Sequence, residues 1–197
     1  MSLYAKTKRL LDVVVSGTIL TFGAPLLAMI AISLLVTQGA PVLFRQERPG
    51  LAGKSFTLIK FRTMRSGDML DEDRLTRIGQ FLRSTSLDEL PSMINVLRGE
   101  MSLVGPRPLL EEYLDLYDSR QATRHNVKPG ITGLAQISGR NLLDWGDRLE
   151  LDARYVETAN LALDLFVLIS TLKKVVIREG VSAEGQATMS KFEGSSL

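Results

Sequence analysis

The sequence predicts an α+β fold that is mostly helical, with a small β-hairpin and an N-terminal helix of membrane length. Three observations lead to this prediction. The run from Val13 to Val36 is mostly apolar and carries no charged residue. Two strand-like stretches, PVLFRQ and SFTLIKFRT, flank the turn-rich segment RPGLAGK. Apolar side chains recur at helical spacing through much of the remaining chain. At 197 residues the chain suits one compact core.

The N-terminal apolar run is long enough to cross a hydrocarbon layer as a helix. Pro25, preceded by Gly23 and Ala24, lies at its middle, where a proline removes an intrahelical hydrogen bond and bends the helix. Basic residues on both sides of the run favour a cytoplasmic position for both of its ends. These are Lys6, Lys8 and Arg9 before it and Arg45 and Arg48 after it. A re-entrant helix that enters one leaflet and returns satisfies both demands, and an ordinary kinked transmembrane helix is the alternative.

The hairpin that follows carries positive charge on one face. Alternation in its second strand places Phe56, Leu58, Lys60 and Arg62 on the same side, so two cations point in one direction. We therefore expect these two cations to face a common site.

Four helices are predicted after the hairpin. Leu75, Ile78 and Leu82 have helical spacing in the first, which spans about 71–84. The next two are 91–98, which ends at Gly99, and about 109–124, which ends at the turn cluster KPGITG. The fourth spans 144–159, and its predicted inward positions are Leu149, Asp152, Ala153 and Val156. A carboxylate on an apolar face suggests a special role for Asp152.

The stretch 161–178 is amphipathic, with one predominantly apolar side formed by Leu165, Leu168, Ile169, Leu172 and Val176. Asp164, Lys173 and Lys174 interrupt it, so it is not predicted to span a membrane. We expect either a helix lying at the lipid headgroup level or a helix that packs into the core. The tail after Gly180 is rich in serine and glycine, and we expect it to be loosely held.

Composition excludes several kinds of chemistry. The chain has no cysteine, which removes disulfides, thiolate nucleophiles and cysteine metal sites. Its net charge of +2 and its lack of an aromatic stacking platform give no support for nucleic-acid binding. GLAGKS lacks the first glycine of a phosphate loop, because Arg48 stands at that place. The usual hydrolase and dinucleotide signatures are also missing.

Asp88 and Glu89 are the principal candidates for chemistry. One interpretation is structural, since Ser86 to Glu89 matches a helix capping box and acidic residues favour a helix N-terminus. Pro91 argues against a cap at Ser86, because it would then lie beyond the first turn. The other interpretation is catalytic, since more cations lie nearby in the sequence than a cap requires. These are Lys60, Arg62, Arg83, Arg107 and Arg140.

A carboxylate among cations suits phosphoryl transfer, in which the protein positions phosphate oxygens and neutralises their charge. An aspartate can act as the nucleophile and form an acyl phosphate, which divides one transfer into two steps. A neighbouring glutamate can orient the nucleophile or share a Mg²⁺ ion with it. The catalytic hypothesis therefore assigns Asp88 and Glu89 to the nucleophile and the metal site.

Several motifs, in order, resemble the bacterial sugar transferases, the small monotopic phosphoglycosyl transferases. They are KFRTM at 60–64, SLDELP at 86–91, GEMSLVGPRPLL at 99–110, KPGITGLAQISGRN at 128–141 and LELDARYV at 149–156. The tail GVSAEGQATMSKFEG is similar to that of members that act on UDP-diacetylbacillosamine in protein N-glycosylation. The family commonly has Ser-Pro at its helix break, whereas this chain has Ala24-Pro25. Without that hydroxyl, the break depends more on the proline and on packing.

The resemblance implies an enzyme that moves a phospho-sugar from a UDP-sugar to a polyprenyl phosphate such as undecaprenyl phosphate, with Mg²⁺, and releases UMP. It implies that Asp88 attacks the sugar-bearing phosphorus to form a covalent intermediate and that Glu89 is its partner. Lys60, Arg83, Arg140 and Asp152 match further polar positions of the family motifs. We expect them, with Arg62 and Arg107, to serve the phosphates, the metal or the network of the active site.

The resemblance also implies the organisation of the chain. We expect a re-entrant membrane helix at 1–38, a catalytic domain with interfacial helices at 39–180, and a polar tail at 181–197. The enzyme would lie on one leaflet of the bacterial inner membrane, with its catalytic domain on the cytoplasmic face. The alternative from another class is a membrane-anchored scaffold without catalysis, in which Asp88 and Glu89 only cap a helix.

Overall fold

The structure, a computed structural model, describes residues 2–65, 67, 71–139, 143–177 and 191–194. Helices α1 to α9 span Leu3–Phe22, Ala24–Gln38, Asp71–Arg74, Arg77–Ser84, Met93–Arg98, Ser119–Ala122, Leu134–Ser138, Trp145–Thr158 and Leu161–Ile177. Short 3₁₀ helices lie at Leu51–Gly53, Leu87–Ser92, Glu111–Leu116 and Thr123–Asn126. Strands β1 to β4 span Leu43–Pro49, Ser55–Phe61, Ser102–Val104 and Gly130–Thr132. The predicted mostly helical α+β fold is confirmed.

The N-terminal apolar segment forms two helices that meet at a sharp bend. The axes of α1 and α2 differ by 61°, and Gly23 lies between them. Its N–H donates to the Ile19 carbonyl at 2.8 Å, and Pro25 occupies the first turn of α2, where a missing N–H has no cost. The break predicted at Pro25 is therefore confirmed. Among the described residues no single helix has the length and apolarity of a membrane span, but this bent pair does when taken together.

Both helices of the bent pair pack against the rest of the chain. On α1, the buried Asp12 carboxylate accepts hydrogen bonds from the Ser102 hydroxyl at 3.0 Å and the Leu103 N–H at 2.9 Å. On α2, Ile30 and Leu34 are buried in a cluster that contains side chains of β2 and α4. The two helices thus return to the same domain, as a re-entrant arrangement requires.

The opposite faces of these helices are apolar and exposed, and a face of α9 has the same character. We call this set the exposed apolar surface. It comprises Leu10, Leu11, Val13, Val14 and Phe22 of α1, Leu26, Met29, Ile32, Leu35 and Val36 of α2, and Leu165, Phe166, Ile169, Leu172 and Ile177 of α9. Exposed apolar area of this extent is typical of a surface that contacts a membrane or a partner.

Polar contacts attach the start of α1 to distant elements. Lys8 Nζ lies 2.7 Å from Asp164 Oδ2, and the same buried carboxylate accepts from Tyr155 at 2.6 Å. Arg9 donates to the Val96 and Leu97 carbonyls at the end of α5, at 2.6 and 2.7 Å. Lys8 and Arg9 are thus bound within the fold. The sequence analysis had used them only to predict the position of the helix ends relative to a membrane.

The predicted hairpin is confirmed by an antiparallel β1–β2 pair in which Phe44 faces Lys60 and Arg48 faces Phe56. Within the described residues, no strand lies beside the second edge of β2. Instead, Ser92 Oγ donates to the Ile59 carbonyl at 2.7 Å, while Asn95 accepts from the Ile59 N–H at 3.2 Å. Side chains of the segment after Asp88 and Glu89 therefore satisfy the strand edge and fix that segment against β2.

The predictions for 109–124 and 128–133 were wrong. The first segment is divided among two 3₁₀ helices and the short α6, in place of one helix. The second contains β4, which pairs in parallel with β3. Gly130 packs directly on the backbone of Gly105, and an added Cβ would overlap it. A strand of three residues held by such a close approach has no alternation by which sequence could reveal it.

Three other predictions need correction. The helix expected at 71–84 is divided into α3 and α4, because Leu75 forms an isolated bridge with Met64. In α8 Leu149, Asp152 and Ala153 are buried as predicted, but the fourth buried residue is Tyr155, and Val156 is only partly buried. The helix expected from residue 91 begins at Met93, after a 3₁₀ turn.

The C-terminal predictions have a mixed outcome. In α9 Leu165, Ile169 and Leu172 of the predicted apolar side are exposed, whereas Leu168 of that side is half-buried and packs against the core with Val167. The tail was expected to be loosely held, but Phe192 is buried against Tyr113, Tyr117 and Trp145. The rest of the tail motif lies outside the described residues.

Candidate active site

The hairpin, the 3₁₀ turn at Leu87–Ser92 and the loop after β3 bring four predicted residues together. Lys60 is the second-last residue of β2, Asp88 and Glu89 lie in the first turn of the 3₁₀ helix, and Arg107 follows β3. Arg83, in the last turn of α4, is a charged neighbour of Asp88 and donates through Nε to Thr63 at 2.9 Å. The convergence predicted for these side chains is observed in the structure.

Glu89 is held by two cations. Its Oε1 atom lies 2.7 Å from Lys60 Nζ and 2.7 Å from Arg107 Nη2. Burial alone would raise the pKa of Glu89, but the charges of Arg107 and Lys60 outweigh it and place that pKa well below its usual range. Glu89 is therefore ionised and fixed in position, which in turn fixes the two cations.

Asp88 differs from its neighbour. Within the described part of the chain, no group donates a hydrogen bond to its carboxylate, whereas Glu89 accepts two charged ones. Burial and the adjacent negative charge of Glu89 raise the pKa of Asp88 to about 6, against the opposing effect of Lys60, Arg107 and Arg83. A carboxylate that is partly desolvated and lightly bonded is a better nucleophile than a solvated or tethered one.

These groups line a cavity of about 1710 Å³. Its volume exceeds that of a usual small-molecule site, so two substrates can be accommodated. Among the described residues its walls carry ten cations and two carboxylates. The carboxylates are Asp88 and Glu89, and the cations are Arg45, Arg48, Lys60, Arg62, Arg65, Arg74, Arg83, Arg107, Arg148 and Lys174. Such an excess of positive charge favours ligands that carry several phosphate groups.

The other predicted residues lie elsewhere or outside the description. Arg62 lines the cavity, but its Nη2 donates to the Gln38 and Gly39 carbonyls at 2.7 Å each, at the end of α2. Arg140 lies outside the described residues. Asp152 is buried within the domain and does not appear among the residues that line the described cavity.

Asp152 forms a buried ion pair with Arg124, which sequence reasoning missed. Arg124 Nη2 lies 2.7 Å from Asp152 Oδ2, and both side chains are almost fully buried, with exposures of 2% and 3%. The same nitrogen donates to the Arg107 carbonyl at 2.6 Å. Asp152 thus supports the loop that carries Arg107, and its contribution to the site passes through Arg124.

The capping-box interpretation of Ser86 to Glu89 was wrong. Ser86 adopts a left-handed backbone conformation with φ of 56°, and its side chain makes no capping hydrogen bond. A capping residue normally has an extended backbone that aims its hydroxyl at the first turn. Asp88 and Glu89 still lie in the first turn of the 3₁₀ helix, with Pro91 inside it.

Arg48 and Arg148 are cavity residues that the sequence analysis did not propose. The signal for Arg48 was present, because alternation in β1 places Phe44, Gln46 and Arg48 on one face. The antiparallel register puts that face on the same side as Lys60. Arg148 had no comparable signal, since its place depends on how α8 packs against the loop that contains Arg107.

Comparison with known proteins identifies the family. The model of the family described as bacterial sugar transferase matches residues 3–178. The uncharacterized sugar transferase EpsL of Bacillus subtilis is 53% identical over 163 residues, covering 80% of this chain and 81% of that protein. The exopolysaccharide production protein ExoY of Rhizobium meliloti is 37% identical over 196 residues, with coverages of 88% and 87%.

A further relative is named for its reaction. The UDP-glucose:undecaprenyl-phosphate glucose-1-phosphate transferase of Caulobacter vibrioides is 38% identical over 185 residues, covering 86% of this chain and 69% of that protein. The match of the family model extends over the bent helix pair, the hairpin and the described residues that line the cavity. The chain therefore belongs to the bacterial sugar transferase family, and it is an enzyme of the phosphoglycosyl transferase kind.

Proposed function

We propose that this enzyme transfers a sugar 1-phosphate from a UDP-sugar to a polyprenyl phosphate and releases UMP. The observation that carries the proposal is the position of Asp88, a lightly bonded carboxylate in a cavity lined by cations. The names of the relatives support the substrate classes, since the Caulobacter protein is named for UDP-glucose and undecaprenyl phosphate. Both of those molecules carry the phosphate groups that such a cavity favours.

In the first step, an Asp88 carboxylate oxygen attacks the sugar-bearing β-phosphorus of the donor. A bond from Asp88 to phosphorus forms while the bond from that phosphorus to the bridging oxygen breaks, and UMP leaves with the electron pair. In the second step, an oxygen of the polyprenyl phosphate attacks the same phosphorus. The acyl phosphate bond breaks, and its electron pair returns to Asp88 as a free carboxylate.

The neighbouring groups prepare this nucleophile. Glu89 holds Lys60 and Arg107 beside Asp88, so that two cations are in place before the phosphate arrives. Arg83 adds a third charge from α4. Preorganised charge of this kind stabilises the negative oxygens of the transferring group without reorganisation during the reaction.

The carboxylates of Asp88 and Glu89 fit a Mg²⁺ ion that binds together with the substrate phosphates. Within the described residues there is no cluster of three or more metal-binding side chains. Mg²⁺ commonly binds through one or two carboxylates together with substrate phosphates and water. Asp88 and Glu89 would supply those carboxylates, although Glu89 Oε1 is already bonded to two cations. When bound, the ion would neutralise charge on the phosphate oxygens.

The proposed location is the cytoplasmic face of the inner membrane. The contacts of both α1 and α2 with one domain support a helix pair that enters one leaflet and returns. The exposed apolar surface on α1, α2 and α9 would lie in that leaflet. This arrangement would bring the cavity near a lipid phosphate while keeping it open to a cytosolic UDP-sugar.

The donor sugar stays a prediction. The tail motif favours UDP-diacetylbacillosamine, whereas relatives such as the Salmonella typhimurium undecaprenyl-phosphate galactose phosphotransferase are named for hexoses. A panel of UDP-glucose, UDP-galactose, UDP-N-acetylglucosamine and UDP-diacetylbacillosamine, with polyprenyl phosphate and nanodisc-embedded enzyme, identifies the donor by UMP release. We expect one donor to react much faster than the others. No UMP release from any UDP-sugar would contradict the proposed reaction.

We also expect adduct formation to depend on the ionisation of Asp88. Because its pKa is raised to about 6, the rate of labelling by UDP-sugar should increase with pH below about 6 and level off above it. The measurement omits the polyprenyl acceptor, since a phosphate monoester titrates in the same range. Glu89→Gln removes the negative charge that helps to raise the pKa of Asp88, so the increase in labelling rate should move to lower pH. A rate independent of pH between 5 and 8 would contradict the assignment.

A further inference from the structure

The proposed two-step reaction imposes a geometric condition on the cavity. Both displacements occur at the same phosphorus, and in each the attacking and leaving oxygens are in line. UMP therefore leaves from the side opposite Asp88, and the polyprenyl phosphate must attack from that same side. The α-phosphate of the donor and the phosphate of the acceptor consequently occupy one anion subsite in succession. This condition rests on the proposed function.

Arg48 has the surroundings expected of a residue in that subsite. It lies at the end of β1 and lines the cavity that contains Asp88, as well as a smaller adjoining pocket shared with Lys60, Glu89 and Arg107. Its guanidinium donates to the neutral Gln46 Oε1 at 2.6 Å and makes only a long contact of 3.5 Å to the Pro108 carbonyl.

The charge of Arg48 is not balanced by the residues that the structure describes. No carboxylate in this part of the chain lies within 4.0 Å of it, and its Nε is buried without a hydrogen-bond partner. Burial and the positive charge of Arg107 both lower the pKa of Arg48, to about 10. A partly buried cation that faces another cation is unfavourable unless an anion binds between them.

Arg107 connects this residue to the reacting centre. It bonds to Glu89 at 2.7 Å and is a charged neighbour of Asp88, while it is also the principal charged neighbour of Arg48. Arg107 is thus a charged neighbour of both Asp88 and Arg48, and all three residues line one cavity. A donor whose β-phosphorus meets Asp88 carries its α-phosphate one group further away, where Arg107 and Arg48 are available to bind it.

We propose that Arg48, together with Arg107, forms a single anion subsite that binds the donor α-phosphate until UMP leaves and then binds the phosphate of the polyprenyl acceptor. The planar guanidinium of Arg48 can donate two parallel hydrogen bonds to a phosphate. Gln46 holds it from the side without supplying a competing charge.

Product inhibition of the wild-type enzyme tests the shared subsite. If UMP and polyprenyl phosphate bind the same place on the covalent intermediate, UMP should inhibit competitively against polyprenyl phosphate. It should inhibit non-competitively against UDP-sugar, because that substrate binds the free enzyme. Separate subsites would give the reverse assignment, with UMP competing against UDP-sugar, and that pattern would overturn the proposal.

Variants of Arg48 test the residue. Arg48→Gln should raise KM for UDP-sugar and for polyprenyl phosphate by similar factors, roughly 10-fold or more, as loss of a charged hydrogen bond does. It should weaken UMP inhibition equally. Arg48→Lys should recover part of each loss, and Arg154→Gln, an exposed site on α8, should change neither KM. Thermal unfolding of each variant separates these effects from misfolding.

The outcomes separate this proposal from the proposed function. If the wild-type enzyme forms no adduct and releases no UMP, the proposed reaction itself is wrong. If it reacts normally but Arg48→Gln raises KM for only one substrate or for neither, the reaction stands and the shared subsite is wrong. Should Arg48→Gln not fold, Arg48→Lys and the wild-type inhibition pattern still decide the question.

Discussion

Replacing Asp88 by asparagine or alanine is expected to lower turnover by roughly 10⁴-fold or more, as removal of a covalent nucleophile does in other enzymes. The reason is that neither side chain can form the bond to phosphorus, although the cations around it remain in place. The measurement is UMP release at saturating donor and acceptor, together with intact-protein mass spectrometry after rapid quenching with UDP-sugar alone. The wild-type protein should gain the mass of one sugar phosphate, and the variants should not.

The control for this experiment is Asp115→Asn, which changes an exposed carboxylate outside the cavity. It should retain both turnover and adduct formation. If Asp88→Asn instead retained full turnover, Asp88 would not be the nucleophile, and the helix-cap role that the scaffold hypothesis gave to Asp88 and Glu89 would remain, with only a small loss of stability expected from the substitution. The left-handed backbone of Ser86 already removes the specific capping interaction on which that hypothesis depended.

Asp152→Asn is expected to cost about 3–5 kcal/mol of unfolding free energy, because it leaves the Arg124 guanidinium buried without its counter-charge. Turnover should decrease as well, since Arg124 donates to the carbonyl of Arg107. Denaturant or thermal unfolding of the purified enzyme measures the first effect, and UMP release under conditions where the variant is folded measures the second.

Two comparisons sharpen this result. The double variant Arg124→Met with Asp152→Leu removes both charges and should recover much of the stability, as apolar replacement of other buried pairs does. Glu150 lies on the same helix as Asp152 but forms an exposed ion pair with Arg120. Glu150→Gln should have little effect on stability, because solvent screens that ion pair. Equal losses of unfolding free energy from Asp152→Asn and Glu150→Gln would show that burial of the Asp152–Arg124 pair does not increase the cost of breaking it.

The elements that sequence reasoning predicted well are those whose signal is local. Alternation in β2 identified the face of Lys60, and a proline within an apolar run identified the bend at Pro25. The convergence of Asp88, Glu89 and Arg107 followed from their motifs and from the chemistry of phosphate transfer. These predictions needed no knowledge of long-range packing.

The elements that it missed depend on contacts between distant segments. β3 and β4 are too short for alternation, and their pairing depends on the close approach of Gly105 and Gly130. Arg124 supports the loop of Arg107 only because the packing of α8 places Asp152 against the Arg124 guanidinium. Phe192 is held by aromatic side chains from other parts of the chain. The composition of the tail could not reveal those contacts and therefore suggested a loose segment.

The Asp12 carboxylate has a consequence for engineering this enzyme. Because it bonds to Ser102 and Leu103, immediately before the loop of Arg107, α1 supplies part of the framework that supports the candidate active site. Deleting 1–38 would remove those bonds and leave the buried Ser102 and Leu103 of β3 without them. Exchange of the N-terminal helix pair between relatives should therefore succeed only when the contact residues of both segments are transplanted together.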